Sequence, residues 1–163
     1  MHVVDGMPVD DTKSVISMHL LGMYLPSLAS GWLIRVLGIR PMMLVGLGFM
    51  TVCVVISVFV GQHFMHYLSA LVLLGIGWNF LFVAGTTLLT TSYAPSERYR
   101  AQGLNDFVVF GVQALAALAA GPAITHLGWP IVNAASLPLL GLMAAAVIRL
   151  GMSARPVRVA VAP

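Results

Sequence analysis

Charged side chains are scarce in this sequence, and acidic ones are the scarcest. Only 8% of the 163 residues are Asp, Glu, Lys or Arg, with five acidic residues against eight basic ones. Because soluble domains carry about 25% charged residues, a chain with so few cannot cover a water-facing surface. With 60% hydrophobic residues and a mean hydropathy of +0.98, its apolar surface is expected to face a lipid bilayer. The basic residues lie between apolar runs and form no polar face, so nucleic acid is not an expected partner.

Cysteine is nearly absent, and the motifs of catalysis are missing. The single cysteine, Cys53, lies inside an apolar run, where a small buried hydrophobe is the simplest interpretation. The sequence has no glycine-rich phosphate loop with its lysine and no Ser–His–acid set. His63 and His66, with two residues between them in a connector, are too few to hold a metal. We therefore expect no enzyme, no cofactor and no metal site.

Long apolar runs dominate what is present. A membrane-spanning helix needs about 20 mostly apolar residues, and five stretches meet that length. They are residues 14–34, 41–61, 65–93, 102–126 and 129–150. No strand-like alternation appears, so the predicted fold is all-α, a polytopic transmembrane helical bundle of about five spans. Residues 1–13 are interpreted as a short extracytoplasmic remnant and residues 151–163 as a cytoplasmic basic tail.

Arginines occur only in alternate connectors, which assigns each connector to one side of the membrane. They are Arg35 and Arg40 in the first connector, Arg98 and Arg100 in the third, and Arg149, Arg155 and Arg158 at the C-terminal end. Cytoplasmic loops carry an excess of Lys and Arg, so the pattern predicts an outside N-terminus and a cytoplasmic C-terminus. Lys13 is the one exception, and it follows two aspartates.

Residues 1–13 carry no signal that would place the N-terminus outside the membrane. Residues 1–13 have no basic region of the kind that opens a secretory signal peptide. Five spans that start outside would need the first helix to insert with its N-terminus translocated. We therefore expect that the chain lacks an upstream segment, with residues 1–13 as what is left of an external connector.

Polar residues inside the first span share one helical face. Because Pro26 removes an internal hydrogen bond, it should kink or loosen the helix. Ser27 is therefore a candidate for lining a solute path. In the alternative interpretation, Ser27 and Gly31 form a small-residue packing face. His19 is expected to be a bonded or interfacial residue rather than a proton relay.

Later spans supply the other candidates for a solute path. Asn79, with Trp78 beside it, lies near the middle of the third span, where an amide must find a hydrogen-bond partner. That partner is either a neighbouring helix or a solute in a cavity. Gln113 lies deep in the fourth span and is a candidate for contacting the solute. Asn133 and Ser136 in the fifth span are interpreted as packing residues.

Asp106 is the one acidic residue inside an apolar run, and it lies near the cytoplasmic end of the fourth span. Two roles are open for its carboxylate. It pairs with Arg98, Arg100 or Arg35 as an inner gate, or it takes and releases a proton during transport. Its position near the boundary favours the gate.

Three loops resemble those of a known family. Residues 31–40 (GWLIRVLGIR) keep Gly31, Leu33, Gly38 and Arg40 of the pattern glycine, any, leucine, any, aspartate, basic, any, glycine, any, basic. This stretch resembles the signature loop of the major facilitator superfamily, in its copy within the C-terminal half. Residues 95–103 are similar to the family's loop between helices ten and eleven. Residues 121–129 are similar to the hairpin between helices eleven and twelve.

The resemblance implies a partial fold of this family, with the spans matching helices eight to twelve of a twelve-helix secondary transporter. It further implies a bacterial inner membrane as the location. The expected partners are the lipid bilayer, an unknown small solute, a coupling ion, and the missing N-terminal half or another membrane chain. The alternative is a non-transporting assembly or regulatory subunit of the membrane, whose polar residues only hold helices together.

Overall fold

All regular structure in the described part of the chain is helical. The structure, a computed structural model, describes residues 8–60 and 63–153. The helices are α1 (Val9–Tyr24), α2 (Ser27–Leu37), α3 (Ile39–Val55), α4 (Phe64–Leu89), α5 (Arg98–Leu127), α6 (Trp129–Ala134) and α7 (Leu137–Ser153). A π-helical turn, Ile56–Val60, continues α3, and a 3-10 turn, Pro95–Glu97, precedes α5. Most of the predicted N-terminal remnant and of the basic tail lies outside the described residues.

The helices have the length and polarity of membrane spans. Four stretches are long and apolar enough to cross a bilayer by themselves. They are Ile39–Val60, Phe64–Leu89, Pro95–Leu127 and Trp129–Leu150. The pair α1 and α2 meets the same test when the two are taken together as one bent span. The prediction of an all-α polytopic bundle with about five spans is thereby confirmed.

The first span is broken at the predicted position. The axes of α1 and α2 differ by 43°, and Pro26 lies between them. Proline has no N–H to donate, so the helical hydrogen bonding is interrupted at this point. The kink expected from Pro26 is therefore confirmed, and it divides the span into two separate helices.

The fifth span, Trp129–Leu150, counts as one span but is interrupted by a two-residue turn, which the sequence prediction did not include. Residues 135 and 136 separate α6 from α7, and Pro138 follows as the second residue of α7. The missing N–H of Pro138 leaves the preceding turn without one helical hydrogen bond. The turn contains a hydrogen bond between residues three apart instead of four, from the Ser136 N–H to the Asn133 carbonyl at 3.1 Å.

Helix α4 is the centre of the bundle, with α1 and α3 packed closely against it. A Cβ added at Gly75 would lie 2.6 Å from the carbonyl oxygen of His19 in α1. A Cβ at Gly77 would lie 2.8 Å from the carbonyl oxygen of Gly46 in α3. The backbones of three helices are thus in direct contact through glycines on two sides of α4. Small residues are typical of helix contacts in membranes, where van der Waals packing drives association.

Helix α5 lies at the edge of this bundle. None of its described residues is buried, and large apolar side chains such as Phe107 and Leu118 are more than three-quarters exposed. Its contact with the centre includes Phe110, whose ring lies 6.2 Å from that of Phe82 in α4. Much of the apolar surface of α5 is therefore free to face lipid or another helix.

Replacing Gly75 by alanine tests the contact between α4 and α1. The new methyl group would meet backbone atoms that cannot move aside, so we expect a loss of about 1–3 kcal/mol in unfolding free energy. The matched control is Gly85→Ala in the same helix, where a Cβ has nothing within 4 Å. That control should be neutral or stabilised by about 0.5–1 kcal/mol, because alanine favours helix more than glycine does. Unfolding followed by circular dichroism in detergent measures both, and equal stabilities would contradict the contact.

Candidate functional site

Asn79 joins α4 to the broken first span through its whole side-chain amide. Its Nδ2 donates to the carbonyl oxygen of Met23 at 2.7 Å and to the Oγ of Ser27 at 2.5 Å. Its Oδ1 accepts a hydrogen bond from the Oγ of Ser30 at 3.0 Å. Asn79 is only 2% exposed and Ser30 only 1%. We call these four residues, Met23, Ser27, Ser30 and Asn79, the Asn79 clamp.

The clamp supplies side-chain hydrogen bonds at the break around Pro26, where the backbone hydrogen bonding of the helix is interrupted. Met23 and Ser27 lie on opposite sides of Pro26, and both are bonded to the same amide group. The Ser30 hydroxyl also lies 2.9 Å from the Pro26 carbonyl, so its single proton is shared between two acceptors. The sequence left two possible hydrogen-bond partners for Asn79, a neighbouring helix or a solute. In the structure its partners belong to the neighbouring first span. Both amide protons are used by protein atoms, which leaves none for a solute.

A second polar contact ties α1 to α4, one turn closer to the N-terminus of α1 than Met23. The Nδ1 of His19 lies 2.7 Å from the carbonyl oxygen of Leu71. Because a carbonyl oxygen can only accept, this ring nitrogen is the one that carries the proton. His19 is therefore a bonded residue, as its position in the sequence predicted.

Trp78 faces a different part of the bundle from its neighbour Asn79. It lines a cavity of about 530 Å³ that lies between α3, α4, α5 and the broken fifth span. Its indole ring stacks on the ring of Phe82, with centroids 4.8 Å apart and planes 8° from parallel. Sites for small molecules have volumes of roughly 300–1,000 Å³, so this cavity is large enough to hold one.

The polar groups of this cavity come from the break in the fifth span. Asn133 and Ser136 both line it, together with Cys53 of α3. Asn133 Nδ2 donates to the Trp129 carbonyl at 2.9 Å, and Ser136 Oγ donates to the Asn133 carbonyl at 2.6 Å. Both side chains thus bond the backbone of their own span while lining the cavity, and their interpretation as packing residues stays a prediction. Broken helices often mark binding sites in transporters, and Pro138 was the signal in the sequence.

The proposed inner-gate residues are exposed and are not joined to one another. Asp106 accepts a hydrogen bond from Asn105 at 3.1 Å. Within residues 8–60 and 63–153, the one ion pair observed joins Lys13 and Asp10, so Asp106 forms no ion pair with Arg35, Arg98 or Arg100. The gate stays a prediction.

Arg98 does lie at a second, smaller cavity at the start of α5. This cavity has a volume of about 340 Å³ and is also lined by Thr90, Tyr93 and Gln102. Gln102 Nε2 donates to the Tyr93 Oη at 2.7 Å, which fixes the polar wall of the cavity. Among the described residues Arg98 forms no ion pair, and the other polar groups of this cavity are neutral.

Gln113 lies on the exposed surface of α5 and does not line the larger cavity. Of the four predicted solute-path residues, the structure brings together Ser27 and Asn79, and places Trp78 at the cavity. The contribution of Gln113 to a solute path stays a prediction. Within the described ranges, no group of three or more His, Cys, Asp or Glu side chains is placed to hold a metal ion.

Comparison with known proteins gives one family. The model of the Major Facilitator Superfamily matches residues 6–163. The chain is 36% identical over 138 residues to the riboflavin transporter RfnT of Brucella anthropi, covering 85% of this chain and 34% of that protein. It is 30% identical over 129 residues to the uncharacterized MFS-type transporter YddS of Bacillus subtilis, covering 78% of this chain and 30% of that protein. No solved structure matches.

Substituting Asn79 by leucine tests the clamp with a side chain of similar shape. The Met23 carbonyl and two hydroxyls would lose their partner inside the bundle, and we expect a loss of about 1–3 kcal/mol in unfolding free energy. Asn105→Leu is the control, because that amide bonds only its exposed neighbour Asp106. Adding Ser30→Ala to Asn79→Leu should cost less than Ser30→Ala costs in the wild type, because the two residues share a bond. Full additivity, or equal stability of the two leucine variants, would contradict the clamp.

Proposed function

Because the chain belongs to the major facilitator superfamily, we propose that it forms part of a permease that moves a small organic solute across a membrane. The family match over residues 6–163 is the observation that carries this proposal. The apolar spans agree with a multi-pass membrane protein, and the family implies a transporter rather than an enzyme.

The extent of the match bears on what this chain contributes. It spans about a third or less of the length of the curated relatives it matches, 34%, 30% and 22% for the three. We propose that these spans correspond to helices eight to twelve and work with a further membrane segment that supplies the facing wall. Alternating access in such transporters comes from one half rocking against the other, so five spans alone are not expected to transport. The loop at residues 31–40 supports the placement in the C-terminal half.

We propose a bacterial inner membrane as the location, with the N-terminal side outside and the C-terminal side in the cytoplasm. The alternation of arginines between connectors supports this orientation, because positive charge is retained on the cytoplasmic side. Arg35 lies in the last turn of α2, and Arg98 and Arg100 lie in the first turn of α5, so both charged turns are at helix ends. Asp106 and these arginines remain the candidates for an inner gate.

Riboflavin is the first solute that we propose for the complete permease. The support is the relative from Brucella anthropi, which is named as a riboflavin transporter and which aligns with 85% of this chain. Trp78 also lines the larger cavity and supplies an aromatic ring on which a flat aromatic solute can stack.

One observation favours a second candidate function. Asn79, the most buried polar group of α4, uses its amide entirely to hold helices together. A non-transporting assembly or regulatory subunit would need such residues and no solute path. In that case the larger cavity would be a packing defect filled by lipid.

A chimera decides between these functions. This chain replaces the matched segment of the Brucella anthropi riboflavin transporter, and uptake of labelled riboflavin is measured in a bacterial riboflavin auxotroph. We expect saturable uptake that unlabelled riboflavin abolishes, because this chain would supply the same wall of the solute path. The matched segment of YddS, placed at the same junctions, is the control for whether any family segment suffices.

Two results would count against the proposal. A chimera that reaches the membrane but takes up nothing, while the intact relative does, would contradict riboflavin as the solute. Equal uptake by the YddS chimera would show that the segment does not select the solute.

A further inference from the structure

The smaller cavity lies where α4 ends and α5 begins, at one end of two membrane spans. It is lined by Thr90 and Tyr93 after α4, by Pro95 of the 3-10 turn, and by Arg98 and Gln102 of α5. Among the described residues, Arg98 is the one charged side chain in its lining. A cavity of about 340 Å³ with one positive charge and neutral polar walls favours a small anionic group.

The polar groups of this cavity have hydrogen-bond donors left over. Gln102 Nε2 gives one of its two protons to the Tyr93 Oη at 2.7 Å. In the part of the chain that the structure describes, the Tyr93 O–H and the second Nε2 proton of Gln102 have no acceptor. The Thr90 hydroxyl donates to the Thr87 carbonyl at 2.7 Å, so its proton is already used. The unused groups are thus donors, which is what the oxygens of an anion need.

The acidic residues closest to Arg98 along α5 and its preceding turn form no ion pair with it in the described ranges. Glu97 Oε2 accepts a hydrogen bond from the Ala94 N–H at 3.3 Å. Asp106, two turns further along α5, accepts one from Asn105 at 3.1 Å. Neither carboxylate lines the cavity. The Arg98 guanidinium therefore has its donors available for an anion from outside the chain.

We propose that this cavity binds the phosphate group of a phosphate ester. The guanidinium of Arg98 supplies the charge, and the Tyr93 O–H and the remaining Gln102 N–H donate to further phosphate oxygens. A guanidinium presents its N–H groups as a planar fork that matches two oxygens of one phosphate, and such charge-assisted bonds are stronger than neutral ones. This site goes beyond the proposed function and does not depend on riboflavin as the solute.

The phosphate has two possible sources, a phospholipid headgroup and a soluble phosphate ester. The cavity adjoins the end of the span Phe64–Leu89, which is where the hydrocarbon gives way to headgroups. Tyr99, the neighbour of Arg98, is 88% exposed, and tyrosine is enriched at the boundary between membrane and water. Anionic headgroups at that depth attract basic side chains, and a soluble ester can reach the same place from the water.

The test measures binding of dioleoylphosphatidylglycerol to the complete chain in a non-ionic detergent, with bound lipid counted by native mass spectrometry. Arg98→Gln should weaken binding by about tenfold or more, because the charge-assisted bonds to the phosphate are lost. The matched control is Arg100→Gln, which removes the same charge from a side chain that does not line the cavity. Its affinity should stay within about twofold of the wild type, because exposed charges at a distance contribute little.

A second pair of variants tests the hydroxyl without changing the charge. Tyr93→Phe should weaken binding by about threefold or more, for the loss of one hydrogen bond. Tyr99→Phe is its control, since that ring is exposed and does not line the cavity. Circular dichroism checks that all four variants fold, and the tyrosine pair decides the matter if Arg98→Gln does not.

Two further ligands identify the recognised group and its source. Dioleoylglycerol, which lacks the phosphate, should bind the wild type and Arg98→Gln equally. Lipid binding that sn-glycerol 3-phosphate does not displace would assign the site to a phospholipid headgroup. Binding of sn-glycerol 3-phosphate that is lost in Arg98→Gln would assign it to a soluble ester.

Three results would overturn the site. Equal weakening in Arg98→Gln and Arg100→Gln would mean that the lipid responds to overall charge and not to this cavity. An equal loss of dioleoylglycerol and of dioleoylphosphatidylglycerol in Arg98→Gln would mean that the phosphate is not recognised. Binding of neither phosphate ester to a folded wild-type chain would exclude the site outright. None of these results depends on riboflavin uptake by the chimera.

Discussion

The rest of the bundle depends on how closely the backbone of α4 approaches two other helices. Gly75 lets the His19 carbonyl of α1 touch it, and Gly77 does the same for the Gly46 carbonyl of α3. Lipid tails are as apolar as leucine, so helices in a membrane gain little from hydrophobicity and much from close packing. Once the backbones are this near, the side chains of α4 can reach groups on its neighbours. The Asn79 clamp is possible because of that approach.

Successive side chains of α4 then serve different purposes. Adjacent residues in a helix point about 100° apart, so Asn79 meets the broken first span while Trp78 meets the cavity. The clamp fixes the position of α2, whose end carries Arg35, relative to α4. The cavity lies on another side, against the second broken span. The two breaks, at Pro26 and before Pro138, thus lie on different faces of the same central helix.

Much of this could be predicted from the sequence, and the reasons for the rest are physical. The length of the apolar runs and the scarcity of charged residues predicted helical membrane spans, which the structure confirms. The sequences of three loops predicted the family, which the family match confirms. Pro26 predicted a break because a missing N–H is a local property. The choice between a helix and a solute as partner of Asn79 depends on distances between helices, which a single sequence does not contain. For the same reason the cavity lined by Asn133 and Ser136 was missed.

The claim that Asn79 holds the broken first span in one geometry can be tested by a distance measurement. Spin labels at Ile16 on α1 and Val36 on α2, both exposed, would be placed in a Cys53→Ser background and measured by pulsed electron paramagnetic resonance. The account predicts one narrow distance distribution in the wild type and in Asn105→Leu, and a broad or shifted one in Asn79→Leu. The same narrow distribution in all three would contradict it.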